Sequence, residues 1–102
     1  EWVQAPNLLD DAVTVINTTS LGMTGKQEFH VPLHRLNPGA LCNDLVYTPL
    51  KTQFLIEAEE RGASVVDGLG MLLHQARPAF KAWFGILPDV TPELRQSIEA
   101  TL

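Results

Sequence analysis

The sequence predicts an α/β domain built on a parallel sheet of about three strands, with C-terminal helices following the last strand. Two observations carry that prediction. Three short apolar, β-branched runs recur along the chain, "VTVINT" at 13–18, "ALCNDLVY" at 40–47 and "ASVVDG" at 63–68. Strands covered on both faces read this way, because both alternating sets of side chains need apolar surroundings. One amphipathic helical segment lies between the second and third runs, and two more follow the third. Strands that alternate with helices pair in parallel through crossover connections, which argues against an all-helical or an antiparallel domain.

The first run opens at its end into the hydroxyl-rich stretch "NTTSLGMTG". The second follows the turn signal Asn37-Pro38-Gly39. After it, Thr48 is expected as the N-cap of a helix, with Pro49 at the first helical position and Gly62 beyond the last turn. Leu50, Phe54, Leu55 and Ala58 give that helix one apolar face. The third run leads into a helix that begins near Leu69 and ends by Gly85, with Met71, Leu72, Gln75, Ala76, Ala79, Phe80 and Trp83 on one side. Pro78 lies inside it, lacks an amide donor and crowds the carbonyl of His74, so a kink is expected there. Thr91 caps a final helix that starts at Pro92, and Leu94, Ile98 and Leu102 fall on one stripe. The chain contains no internal repeat and no low-complexity segment.

At 102 residues and 45% hydrophobic content the chain is one domain's worth of material, able to bury a core. Asp and Glu number 12 against 7 Lys and Arg, for a net charge of -5. With no basic stripe, a phosphate backbone would meet repulsion, which argues against nucleic acid. No apolar run approaches the roughly 20 residues that span a bilayer, so no membrane partner is expected. The lone Cys42 has no internal disulfide partner, which points to a reducing, cytoplasmic setting. The chain starts at Glu1 rather than methionine, so it is expected to be a piece of something longer.

In an open parallel sheet, ligands bind beyond the carboxyl ends of the strands, where loops and helix N-termini converge. Those ends here carry "NTTSLGMTG", "YTP" and "DGLG", and Gln75 stands one to two turns into the helix that leaves the third. Taken singly, each feature has a plainer explanation. Thr, Ser and Asn17 cap or form turns, Tyr47 packs half-buried, Gly68 and Gly70 shape a turn, and Gln75 is a satisfied amide. Their convergence at one edge of one sheet favours a site. His30 and His34 have helical metal-ligand spacing, but Pro32 separates them and nothing completes a metal site, so no metal is expected. His74 points away from Gln75 by about 100° on the helix. No Ser-His-Asp set is present, and "GLGMLL" lacks the third glycine of a dinucleotide fingerprint.

Three motifs in this order, "NTTSLGM" at 17–23, "DLVYTPLKT" at 44–52 and "DGLGMLLHQA" at 67–76, resemble the shikimate dehydrogenase family, and "AFKAWFGILPDV" at 79–90 is similar to its closing helix and turn. The resemblance implies an oxidoreductase that reduces 3-dehydroshikimate to shikimate with NADPH in aromatic amino-acid biosynthesis. It implies that Tyr47 and Gln75 contact the small-molecule substrate. It further implies that the backbones of Leu45 and Gly68 hold the carboxamide end of the NADP cofactor, that Met71 packs near the nicotinamide, and that Thr19 and Ser20 line the cofactor side. A glutamine amide, donor and acceptor together, suits a polyhydroxylated ring.

By the same resemblance, residues 1–102 form the C-terminal portion of the NADP-binding domain, the second half of a Rossmann-like fold with its closing helices. The family's catalytic lysine and aspartate and its glycine-rich phosphate loop have no counterpart here, so this stretch carries no catalytic residue and is expected to be inactive alone. Lys26, Lys51 and Lys81 are not given the missing catalytic role, since an exposed lysine is the ordinary case. Self-association of the stretch by itself, as a homodimer through the exposed edge of "VTVINT", is expected. Two alternatives stay open: an NAD-dependent quinate/shikimate dehydrogenase relative, and a non-catalytic binding module that kept the fold.

Overall fold

Three parallel strands lie side by side in chain order in the computed structural model, which describes residues 4–102. They are β1 (Thr14–Asn17), β2 (Leu41–Asp44) and β3 (Ser64–Val66), and the helices are α1 (Ala5–Leu8), α2 (Gln53–Glu60), α3 (Leu69–Phe84) and α4 (Pro92–Glu99). The register sets Val15 beside Cys42 and Cys42 beside Val65, and it ends with Asn17 beside Asp44. The strands are shorter than the apolar runs that announce them, and the short helix α1 was not anticipated.

One face of the sheet is packed. Cys42 from β2 joins Phe54, Leu55 and Ala58 from α2 in the core, with Val31, Leu33 and Leu36 from the β1–β2 connection. Phe29 meets Phe54 edge-on, ring centroids 5.1 Å apart. The other face leaves Ile16, Leu41 and Val66 substantially exposed. Strands that read as covered on both sides are therefore covered on one. The reason lies in α3, which packs against α4 and against no strand among the described residues. Its anticipated apolar side stays open: Leu69 is the one buried residue of the helix, while Phe80 and Trp83 from that side are exposed.

The start of α2 differs from expectation. Thr48 does not cap it; the N-cap is Thr52, whose hydroxyl accepts from the Leu55 amide, and Pro49 lies in the preceding loop after a cis peptide bond to Thr48. Thr52 wins because it is fully buried and its hydroxyl is held from the other side by Asp44. At the helix's end Gly62 takes a left-handed φ of 92°, as the Gly62 signal predicts. α3 runs on through Pro78 and closes at Gly85 with φ 77°. α4 begins as expected, the Thr91 hydroxyl accepting from the Leu94 amide at 3.1 Å.

Candidate functional site

The carboxyl ends of β1 and β2 are joined by side chains before any cleft residue is reached. Asn17, the last residue of β1, is buried; its Nδ2 donates to Asp44 Oδ1 at 3.1 Å and to the Leu21 carbonyl at 2.9 Å. Its Oδ1 accepts from both the amide and the hydroxyl of Thr19, at 3.0 and 2.7 Å. Asp44 is buried completely and has both oxygens engaged. Oδ1 also accepts from the Val46 amide at 2.9 Å, and Oδ2 accepts from the Thr52 hydroxyl at 2.6 Å. A buried carboxylate is costly unless hydrogen bonds replace its hydration, and here three donors do so.

These bonds hold the two loops that border a cavity of about 320 Å³. Thr18, Thr19, Ser20 and Met23 line it from the β1 side, and Leu45, Val46, Tyr47 and Thr48 line it from the β2 side. The loops are pinned further by the Leu45 amide on the Asn17 carbonyl at 3.1 Å and the Thr24 amide on the Thr48 carbonyl at 2.8 Å. Tyr47 is exposed on the β2 side of the cavity. Of the residues singled out in the sequence, Thr19, Ser20, Leu45 and Tyr47 therefore meet at one cavity.

Gly68, Met71 and Gln75 stand apart from that lining. Gly68 is buried behind the β2 wall, where a Cβ would fall 2.3 Å from the Leu45 carbonyl oxygen. Met71 is partly exposed and Gln75 exposed on α3. The turn that launches α3 is fixed by Asp67: Oδ1 accepts from the Leu69 amide at 3.1 Å and Oδ2 from Arg95 at 2.6 Å. Arg95 also bonds Glu99, and its guanidinium pKa is raised first by the Asp67 hydrogen bond. Arg77 donates to the Pro88 carbonyl at 2.7 Å, tying α3 to the chain that leads into α4.

Sequence reasoning passed over Asp44, Thr52, Asp67 and Arg95. The one available signal was Asp44 itself, a carboxylate inside an apolar strand, which requires partners. Other groups lie away from the cavity. Burial pushes the Cys42 thiol up. Arg35 pairs with Asp10 at the surface and holds its carboxyl below the usual range, and Lys51 pairs with Glu59. His30, His34 and His74 are exposed, and no cluster of three metal-binding side chains occurs among the described residues. No helix among them is long and apolar enough to cross a membrane.

Comparison with known proteins adds three findings. The sequence family described as the Shikimate 5'-dehydrogenase C-terminal domain matches residues 68–96. The shikimate dehydrogenase (NADP(+)) of Cereibacter sphaeroides strain KD131 is 62% identical over 99% of this chain, and that of Paracoccus denitrificans is 57% identical over 98%. The chain spans 36% of the length of these relatives. Among solved structures, quinate dehydrogenase from Corynebacterium glutamicum in complex with NAD superposes with a TM-score of 0.85 at 29% identity, covering 99% of this chain and 35% of that one. Shikimate 5-dehydrogenase from Thermus thermophilus, in complex with NADP(H) and shikimate, gives 0.76 at 32% identity, covering 99% and 36%.

Proposed function

The chain belongs to the shikimate dehydrogenase family, matching the C-terminal part of its relatives, and from that premise we propose that it serves an enzyme reducing 3-dehydroshikimate to shikimate with NADPH. Residues 1–102 then make up the second half of a Rossmann-like NADP-binding domain and its closing helices. The observation that carries the reading is the meeting of Thr19, Ser20, Leu45 and Tyr47 at one cavity beyond the carboxyl ends of β1 and β2, the place where such sheets bind ligands.

The lining suits part of the cofactor. Its volume of about 320 Å³ lies at the small end of ligand pockets, enough for a nicotinamide ring and its amide rather than a whole dinucleotide. Hydroxyls from Thr18, Thr19, Ser20 and Tyr47 offer hydrogen bonds, while Met23, Leu45 and Val46 offer apolar surface for a flat ring. When bound, the cofactor supplies a hydride to the substrate carbonyl carbon.

The chain's own share is binding and orientation. In this reading Leu45 and Gly68 present backbone groups to the carboxamide, and Thr19 and Ser20 border the cofactor side. Met71 packs near the nicotinamide, while Tyr47 and Gln75 face the substrate and hold its hydroxyls and carbonyl for attack. The proton for the developing alkoxide comes from an acid outside these residues.

A second reading, an NAD-dependent quinate dehydrogenase, is favoured by the TM-score of 0.85 with the quinate enzyme in complex with NAD. Measuring kcat/KM of the full-length enzyme for shikimate with NADP+ and for quinate with NAD+ separates the two. A preference for shikimate with NADP+ is expected. Preference for quinate with NAD+ would favour the second reading, and no turnover of either would leave a non-catalytic module.

A further inference from the structure

Both walls of the cavity hang on one buried pair. Thr18 to Ser20 are held through Thr19, whose amide and hydroxyl both bond Asn17 Oδ1, and whose hydroxyl accepts from the Leu21 amide at 3.1 Å. Leu45 to Thr48 are held through Asp44, whose Oδ1 fixes the Val46 amide one residue before Tyr47. The Asn17–Asp44 contact at 3.1 Å joins the two sets. Thr52 then anchors the remaining carboxylate oxygen and, by accepting from Leu55, couples the pair to the first turn of α2.

We propose that Asp44 is a positioning residue that acts through Tyr47, with Asn17 setting the gap between the walls and Thr52 holding the Asp44 carboxylate in the one orientation that satisfies all its donors. Asp44 is buried completely and lines no part of the cavity, so its effect reaches the site through the backbone. A carboxylate with three donors has little freedom to rotate, because any turn of the group strands at least one buried partner. Such a group fixes geometry more tightly than apolar packing of the same volume. The Val46 amide it holds leads directly into Tyr47, and the Thr48 carbonyl beyond Tyr47 is held by Thr24, so the tyrosine is bracketed on both sides.

This inference rests on the reading that Tyr47 faces the substrate, and a double-mutant cycle in the full-length enzyme separates the two. Tyr47→Phe removes the phenol, while Asp44→Asn keeps the shape but replaces the oxygen that accepts from Thr52 with a donor. Each single change is expected to raise the shikimate KM about tenfold with a smaller change in that of NADP+. The double variant is expected to be no worse than Tyr47→Phe alone within about a factor of two, since residues acting through one another are not additive. Additive losses, with the substrate and cofactor KM values moving together, would overturn the inference and show a merely structural role. If Tyr47→Phe is silent, the assignment of Tyr47 to substrate fails and this inference fails with it. Thr52→Val gives a second route to the same cycle if Asp44→Asn does not fold, and Thr52→Ser, which retains the hydroxyl, is expected to restore wild-type kinetics.

Discussion

A side-chain carbon on Gly68 would sit 2.3 Å from the carbonyl oxygen of Leu45, so the chain leaving β3 meets the end of β2 backbone against backbone. Gly68 has φ -81° and ψ -11°, a conformation open to any residue; the demand for glycine comes from this contact alone. Gly70 is not constrained in that way, because a Cβ there would meet only the Arg95 guanidinium at 3.8 Å.

Gly68→Ala is therefore expected to destabilise the fold by about 1–3 kcal/mol through overpacking, read as a lower urea midpoint. The Leu45 carbonyl has to shift, so in the full-length enzyme the cofactor KM is expected to rise more than the substrate KM. A wild-type midpoint with a rise confined to the cofactor KM would instead mean that Gly68 serves only to admit the nicotinamide.

Arg95→Met tests the clasp between α4 and the turn before α3. The Arg95 and Asp67 side chains are 32% and 26% exposed, so solvent screening limits the loss to about 1 kcal/mol. Urea titrations at about 0.05 M and about 1 M salt should show the difference from wild type shrinking as salt rises. A deficit indifferent to salt would assign the contact to packing.

Cys42 gives a pH dependence with a definite sign. Burial raises its thiol pKa, so the fold favours the neutral form. Its contribution to stability is full below the ordinary thiol value of about 8.5 and is lost as pH rises through the raised value of the folded state. Denaturation midpoints measured from neutral to alkaline pH should fall less steeply in Cys42→Ala than in wild type. Native protein should also resist alkylation at neutral pH and react once unfolded. Fast alkylation of the native thiol would contradict its burial.

Gln75 is exposed on α3 and free of the cavity lining. If it reads substrate hydroxyls in the full-length enzyme, Gln75→Leu should lower kcat/KM for shikimate about 100-fold, roughly 3 kcal/mol of transition-state binding, and leave the cofactor KM nearly unchanged. Unaltered substrate kinetics would remove Gln75 from the site.

Assayed alone, the 102-residue chain is expected to show no oxidation of NADPH with 3-dehydroshikimate, because its sequence holds no glycine-rich phosphate loop to bind the pyrophosphate. Among the described residues β1 pairs only with β2, and Val13 and Ile16 are largely exposed beside its open edge. Self-association is expected from such an edge. Turnover near about 1 per second would refute the first expectation, and a monomer of 11.2 kDa by light scattering at high concentration the second.

What the sequence determined by itself is what neighbouring residues decide among themselves. Three apolar runs became three parallel strands. Thr91 and Gly85 ended up at helix termini because a cap bonds within about one turn of its own position. Thr19, Ser20 and Tyr47 were legible at the ligand edge because strand ends in a parallel sheet gather there, whereas Leu45 came only from the family resemblance. Tertiary structure decided whatever depends on residues distant in the chain. Thr48 and Thr52 are equally good caps locally, and only Asp44, eight positions before Thr52, selects the second. Asn17 reaches Asp44 over 27 residues and Arg95 reaches Asp67 over 28, contacts that no local pattern encodes. The face of α3 that carries Gln75 followed the same rule: its periodicity marks an apolar side, but only packing decides whether that side is covered, and here it stays largely open while the helix meets α4 alone among the elements.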